Sequence, residues 1–133
     1  MTRKSAARKT SRKQPDPSAA LLEAAIAAAE DRKAVDGVVL DLHQVSDATD
    51  YFLILSGTSD THVRAIAEYV IETLDAQGHE KPYSVEGLAQ GRWVLIDYVD
   101  LVIHVFHPTL RAFYQLEALW GDAPLRRLQD LRP

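Results

Sequence analysis

The sequence of 133 residues contains no cysteine, and this absence excludes several kinds of protein. Without cysteine there is no disulfide framework, no thiolate nucleophile and no metal site with sulfur ligands. No run of residues approaches the roughly 18 consecutive apolar residues that a membrane-spanning helix requires. The first residues also lack the apolar core of a signal peptide. These absences predict a cytoplasmic protein that does not cross or bind a membrane.

Basic residues are scarce outside the first segment of the chain. Residues 1–17 hold six basic residues and one acidic residue but no Leu, Ile, Val or Phe, so they cannot contribute to a core. The rest of the chain then holds nine basic and eighteen acidic residues, a net charge of −9. Such a body repels phosphate backbones, so a basic protein suits it better as a partner than a nucleic acid. We predict that residues 1–17 form a disordered tail, which either is only solvated or loosely tethers the protein to RNA.

Residues 18–123 read as one domain, and residues 124–133 read as a C-terminal tail. Alternating and helical apolar patterns predict a single mixed β-sheet flanked by helices, an α/β fold. The predicted elements are a helix capped by Ser18 and running to about Ala34, strands at 38–42 and 51–55, a helix from Ser59 or Asp60 to Gly78, an edge strand at 83–85, strands at 93–98 and 100–106, and a helix from Pro108.

The last predicted helix would direct Leu110, Phe113, Leu116 and Trp120 inward and end at Gly121. Beyond it, the segment DAPLRRLQDLRP suggests one further amphipathic turn, with Leu125 and Leu128 as its contacts. The strand at 51–55 is apolar throughout and bounded by turn residues, which is typical of a strand covered on both faces.

The stretch RWVLIDYVDLVIHVFH at 92–107 combines core-like strands with two carboxylates. A hairpin about Tyr98 and Val99 would pair residues whose numbers sum to 197. Asp97 would then lie opposite Asp100, Leu95 opposite Val102, and Trp93 opposite His104, all on one face. The other face would be purely apolar, with Val94, Ile96, Leu101 and Ile103.

An aromatic residue, aliphatic area and acid on one face are typical of an interface for a basic protein. The alternative is that a helix covers Trp93 and Leu95 while the acids only solvate the turn. Residue chemistry alone leaves these two readings open. Two aspartates beside a turn are not by themselves a catalytic pair, because metal-assisted chemistry needs a phosphate or metal scaffold next to them.

Other candidate chemistries are weaker. SGTSD at 56–60 lies at a strand-to-helix turn that can bind an anion, but it has one glycine and no following Lys-Ser or Lys-Thr, so a well-capped helix is the simpler interpretation. The five histidines show no HExxH or other zinc-ligand spacing, and no nucleophile elbow is present. We therefore predict no cofactor, no metal and no catalytic residues.

Several segments in order resemble the ribosomal silencing factor family, the Iojap-like proteins. They are DYFLILSGTSDTHVRAIAEYV, the pair Glu86 and Gly87, and WVLIDYVDLVIHVFHPTLRAFYQLEALWGDA, and the resemblance spans about residues 20–123. It implies a nucleotidyltransferase-like α/β fold and a translational repressor that is not an enzyme. It further implies binding to large-subunit ribosomal protein L-fourteen, which blocks subunit joining when nutrients are short. The residues that match the partner-binding segment are Trp93, Leu95, Asp97, Tyr98, Asp100 and, on the same predicted face, Val102.

The chain departs from the family pattern at Val99, where the family usually has glycine. Because a β-branched residue does not readily adopt a positive φ, a two-residue type I′ turn is disfavoured at this position. A turn of another type would change the predicted pairing, and a slip of one residue would exchange the two faces.

Two rival functions are kept beside the ribosomal one. A nucleotide-binding or nucleotidyltransferase-type enzyme is suggested by the implied fold and by SGTSD, although the paired strand carboxylates expected after a Gly-Ser turn are missing. A homodimer formed through the same face is the second rival.

Overall fold

A computed structural model describes residues 16–113 and 123–128 of the chain. The elements in chain order are α1 (Pro17–Asp31), β1 (Val35–Asp41), β2 (Tyr51–Ser56), α2 (Asp60–Ala76), β3 (Ser84–Glu86), β4 (Trp93–Asp97), β5 (Leu101–Phe106), α3 (Pro108–Phe113) and β6 (Leu125–Arg127). No helix in the described ranges is both long enough and apolar enough to span a membrane.

The strands form one six-stranded sheet in the order β3-β4-β5-β2-β1-β6. Strands β2 and β5 are parallel, whereas the pairs β1–β2, β1–β6, β3–β4 and β4–β5 are antiparallel. The parallel pair lies at the centre of the sheet, where apolar residues cover both sides of β2. The prediction of a single mixed sheet with flanking helices is therefore confirmed.

Helices α1 and α2 pack on one face of this sheet. Their apolar residues share one buried cluster with alternate strand residues, among them Leu53, Val94, Ile96, Leu101 and Ile103. A second, smaller cluster lies on the opposite face and contains Val38, Leu40, Leu42, Ile54, Phe106 and Ala123. The apolar face of the hairpin predicted from sequence is thus the face that packs against the helices.

Helix α1 begins earlier than the sequence predicted. Its N-cap is Asp16 rather than Ser18, and the Asp16 carboxylate accepts hydrogen bonds from the Ser18 backbone N–H and from the Ser18 hydroxyl. Pro17 occupies the first helical position, where a backbone N–H has no partner within the helix, so its absence costs no hydrogen bond. An aspartate followed by proline is a strong start signal, and it outweighs the serine two residues later.

Helix α2 follows the sequence prediction closely. Ser59 is the N-cap and its hydroxyl accepts from the His62 backbone N–H at 3.1 Å. Gly78 has a φ of 89°, the left-handed conformation that commonly ends a helix. The buried residues Val63, Ile66, Ala67, Val70 and Leu74 all lie on the predicted stripe.

The C-terminal segment differs from the prediction. Residues Leu125–Arg127 form an edge strand paired with β1, not an amphipathic turn, although Leu128 is buried as expected. The last predicted helix does begin at Pro108. Leu110 packs against the second apolar cluster, as predicted for an inward side chain. The predicted inward side chain of Phe113 is not described, and Leu116, Trp120 and the stop at Gly121 lie outside the described residues.

Gly87 allows the edge strand β3 to close onto β4. It has a φ of 81°, and a Cβ at this position would lie 2.1 Å from the carbonyl oxygen of Trp93. Any other residue would therefore be both strained and in collision with the backbone. The pair Glu86–Gly87 thus helps to fix the path that leads into the strand containing Trp93.

Candidate functional site

The hairpin of β4 and β5 has a different register from the predicted one. Paired residues have numbers that sum to 199, so Asp97 lies opposite Val102, Leu95 opposite His104, and Trp93 opposite Phe106. The predicted pairing of Asp97 with Asp100 is wrong. Because the shift is two residues, it preserves which side chains share a face.

The face of the hairpin turned away from α1 and α2 carries Trp93, Leu95, Asp97, Val102 and His104; we call it the open face. Trp93, Leu95, Asp97 and Val102 are partly buried, whereas His104 is buried. One end of this face is packed, because Trp93 and the nearby Leu110 contact the second apolar cluster. The other end, with Leu95, Asp97 and Val102, borders a cavity.

Aromatic rings line the packed end of the open face. Trp93 stacks on Phe106 with ring centroids 5.0 Å apart, and its indole N–H donates to His104 Nδ1 at 3.2 Å. His104 in turn meets Phe52 edge-on, with centroids 4.7 Å apart. Trp93 therefore supports the sheet as well as contributing surface, and replacing it would also remove core packing.

His104 is uncharged at neutral pH. Burial lowers the pKa of its imidazole to about 4, because transfer out of water disfavours the charged ring. A neutral ring with Nδ1 accepting from Trp93 carries its proton on Nε2, since an indole nitrogen can only donate. His104 Nε2 is buried and has no hydrogen-bond partner among residues 16–113 and 123–128.

An apolar cavity of about 430 Å³ opens at the other end of the face. It is lined by sheet residues and by the loop between β1 and β2, including Phe52, Leu95, Val102, His104 and Thr49. Tyr83 and Val99 border the same cavity, and their side chains are 80% and 54% exposed. Exposed apolar side chains around an apolar cavity are typical of a binding surface.

Asp97 combines a place at this cavity with a structural role. Its Oδ1 accepts from the backbone N–H of Val99 at 2.7 Å, which helps to hold the hairpin turn. In that turn the Asp100 N–H donates to the Tyr98 carbonyl across Val99, whose φ is 73°. The turn is therefore not of type I′, in agreement with the sequence prediction. Val99 nevertheless adopts a positive φ, which is unfavourable for a β-branched residue.

Tyr98 and Asp100 do not lie on the open face with the other candidate residues. The ring of Tyr98 packs against the cluster beneath α1 and α2, and burial, with a smaller effect from Asp75, raises the pKa of its hydroxyl to about 12. Asp100 lies in the turn, and both residues border a second cavity near the start of α1. Val99 and Tyr83 border both cavities, so the hairpin turn separates them.

The SGTSD turn is occupied by its own side chains. The Thr58 backbone N–H donates to His62 Nδ1 at 2.9 Å, and the Thr61 N–H donates to the Asp60 carboxylate at 2.8 Å. Together with the Ser59 cap, these bonds use N–H groups that an anion would need. The structure therefore favours the interpretation of SGTSD as a capped helix start.

The histidines form no metal cluster within the described part of the chain. His43 instead joins elements, with Nδ1 2.6 Å from Asp41 Oδ1 and Nε2 3.6 Å from both Asp16 and Asp50. This group links the start of α1 to the loop that borders the cavity. The contacts of His43 therefore indicate a structural role, in which it joins Asp16 to Asp41 and Asp50.

Sequence reasoning placed all five residues of the open face together but missed others at the cavity. Thr49, Phe52 and Tyr83 come from separate segments, and only the pairing of β2 with β5 and of β3 with β4 brings them beside Leu95 and Val102. The alternation of β2 places Phe52 and Ile54 on one face, but it does not reveal which strand lies beside them.

Comparison with known proteins identifies relatives over nearly the whole chain. The family model described as "Ribosomal silencing factor during starvation" matches residues 15–133. A Bacillus subtilis protein named "Ribosomal silencing factor RsfS" is 45% identical over 108 residues, which are 81% of this chain and 91% of that protein. A mouse protein named "Mitochondrial assembly of ribosomal large subunit protein 1" is 38% identical over 74 residues, 54% of this chain and 32% of its own length.

A solved structure shows the same fold. A crystal structure of a Chromobacterium violaceum protein matches with a TM-score of 0.73 and 36% sequence identity, covering 76% of this chain and 83% of that one. The sheet and helices described above are therefore shared with an experimentally determined relative.

Proposed function

The chain belongs to the ribosomal silencing factor family, and we propose that it represses translation in the cytoplasm by binding large-subunit ribosomal protein L-fourteen when nutrients are limiting. Bound at that position, the protein blocks joining of the small subunit by its bulk. Membership of the family makes it a regulatory protein associated with the ribosome. The specific partner and the steric mechanism are the proposal.

The observation that supports a docking role best is the apolar cavity on the open face. Within the described residues, α1 and α2 pack on the opposite side of the sheet, and the Leu95–Val102 end of the open face borders a cavity of about 430 Å³. Its exposed rim residues Tyr83 and Val99 offer apolar area that an isolated protein has no reason to expose together. A partner surface that covered this end would bury all of it.

The proposed contact residues on the open face have different roles. Leu95 and Val102 supply the apolar centre, and Asp97 supplies a carboxylate at the edge for a Lys or Arg of the partner. Trp93 fixes the position of the strand from its packed end. Tyr98 and Asp100 belong to the second cavity, so they contribute only if the partner extends past the hairpin turn.

Charge favours a basic protein surface over bare RNA as the partner. The body outside residues 1–17 has a net charge of −9. Complementary charge raises the association rate and specificity of such a complex more than its final affinity. Any contact with RNA is assigned to the basic tail.

The experiment that tests this proposal is co-sedimentation with purified large ribosomal subunits at increasing salt concentration. Asp97→Asn removes the charge but retains an oxygen that can accept from Val99, so the turn is preserved. We expect binding about two- to fivefold weaker than wild type at low salt, with the difference shrinking at high salt as the charge is screened.

Glu72→Gln is the matched control, because it removes the same charge from an exposed position on α2. It is expected to bind as wild type does. If wild type itself does not co-sediment, or co-sediments equally with small subunits, the proposed partner is wrong. Equal losses for the two variants would show that overall charge, not the open face, governs binding.

A further inference from the structure

Two buried polar atoms that have no hydrogen-bond partner within the described part of the chain belong to side chains that line the same cavity. They are the hydroxyl oxygen of Thr49 and the Nε2 atom of His104. Thr49 is only 6% exposed and His104 only 4%, so bulk water does not satisfy either atom. Buried polar groups are nearly always paired in folded proteins, and two exceptions at one cavity indicate that a partner is missing there.

The two groups share a chemistry. His104 Nε2 is a donor, because Nδ1 accepts from the Trp93 indole and the proton of the neutral ring must lie on Nε2. The Thr49 hydroxyl can rotate to donate as well. Each therefore suits a hydrogen-bond acceptor, such as a carbonyl or hydroxyl oxygen.

The surroundings restrict the charge of the occupant. Apart from these groups the cavity is lined mainly by apolar side chains, among them Phe52, Leu95 and Val102. A carboxylate would be repelled by Asp97 in the same lining, and a cation would be attracted to Asp97 but could not accept a hydrogen bond from His104 or Thr49. A charged group would also lose its hydration on entering an apolar cavity.

We propose that the cavity receives a neutral, largely apolar side chain of the bound protein, and that oxygen atoms of that protein accept hydrogen bonds from His104 and from Thr49. This inference rests on the proposed function, since the side chain is supplied by the ribosomal partner. It makes Thr49 and His104 specificity-determining residues. The apolar contacts provide area, and the buried donors select for oxygen atoms that accept hydrogen bonds.

Thr49→Val tests the proposal because it replaces the hydroxyl by a methyl group of nearly the same shape. In the free protein this removes a buried unpaired group, so the midpoint of thermal unfolding should rise by about 2–5 °C. In the complex it removes a hydrogen bond, so the affinity for purified large subunits should fall about five- to tenfold. Thr49→Val is thus expected to be more stable than wild type and to bind large subunits more weakly.

Two further variants act as controls. Thr49→Ser keeps a hydroxyl at this position and should retain most of the affinity that Thr49→Val loses. Thr61→Val also replaces a hydroxyl by a methyl group, but at an exposed position on α2, so binding should be unchanged. If wild type binds large subunits and Thr49→Val binds equally well, the inference is wrong while the proposed function stands. If wild type does not bind, the proposed function fails first. A lower unfolding midpoint for Thr49→Val would show that the hydroxyl is already paired in the free protein, which also overturns the inference.

Nitrogen NMR of the wild-type imidazoles provides a second measurement that needs no variant. The His104 ring should show a protonated Nε2 at pH 7, and its proton should shift downfield when isolated ribosomal protein L-fourteen is added. An unchanged Nε2 proton in a complex that has formed would contradict the proposal.

Discussion

A Leu95→Asp variant is expected to lose co-sedimentation with large ribosomal subunits, with an affinity at least about a hundredfold below wild type. Leu95 borders the cavity at the centre of the open face, and its neighbours there are Val102 and the buried His104. A carboxylate at this position would be buried by the partner without a counter-charge. Such a change typically costs several kcal/mol of binding free energy.

The fold should survive this substitution, because Leu95 is only partly buried and lies away from the cluster beneath α1 and α2. A thermal unfolding curve close to that of wild type checks this point. Val35→Asp is the matched control, since Val35 is an exposed apolar residue at the far end of β1 and outside the cavity lining. If folded Leu95→Asp still binds, the open face is not the docking surface.

The second large effect concerns stability at low pH. The pKa of His104 is about 4 in the folded protein and near 6.5 in the unfolded chain, so the unfolded state binds more protons between these values. The stability that the folded protein derives from a neutral, buried His104 is fully present above about pH 6.5 and is lost as the pH falls towards 4. The free energy of unfolding should therefore drop by about 3 kcal/mol between pH 7 and pH 4 from this residue alone.

Urea unfolding of wild type and His104→Gln at a series of pH values isolates this contribution. Glutamine does not titrate and can still accept a hydrogen bond from the Trp93 indole, so the other ionisable groups cancel in the difference between the two proteins. Between pH 7 and pH 4, the free energy of unfolding should fall by about 3 kcal/mol more for wild type than for the variant. A constant difference between the two proteins would mean that His104 is not buried as a neutral ring.

The division of the hairpin into two faces was predictable from the sequence, whereas its register was not. Alternation alone assigns Val94, Ile96, Leu101 and Ile103 to the core, and any shift by an even number of residues preserves that assignment. The register depends on the turn, and Val99 occupies a positive φ that its side chain disfavours. Backbone geometry enforced by the flanking strands overrides this local preference.

The composition of the site was predictable only in part, because it depends on contacts between distant segments. Leu95, Asp97 and Val102 were placed correctly because they share one hairpin. The cavity also needs the parallel pairing of β2 with β5, which brings Phe52 beside Val102. The resemblance included Tyr98 among the partner-binding residues, yet it follows the end of β4 and packs towards the helices, away from the open face.

The edge strand β6 was missed for a related reason. Three residues that are all exposed carry no periodic pattern, so only their pairing with β1 defines the strand. The start of α1 was misplaced by two residues for a more local reason, since Asp16–Pro17 was assigned to the tail and not considered as a cap.

Formation of complete ribosomes from purified subunits, followed by light scattering while this protein is titrated in, tests the central claim most directly. The proposal predicts that joining decreases in proportion to the occupancy of large subunits, and that Leu95→Asp has no effect at the same concentration. Normal joining of large subunits that are saturated with the protein would contradict a steric block, even if binding to the large subunit were tight.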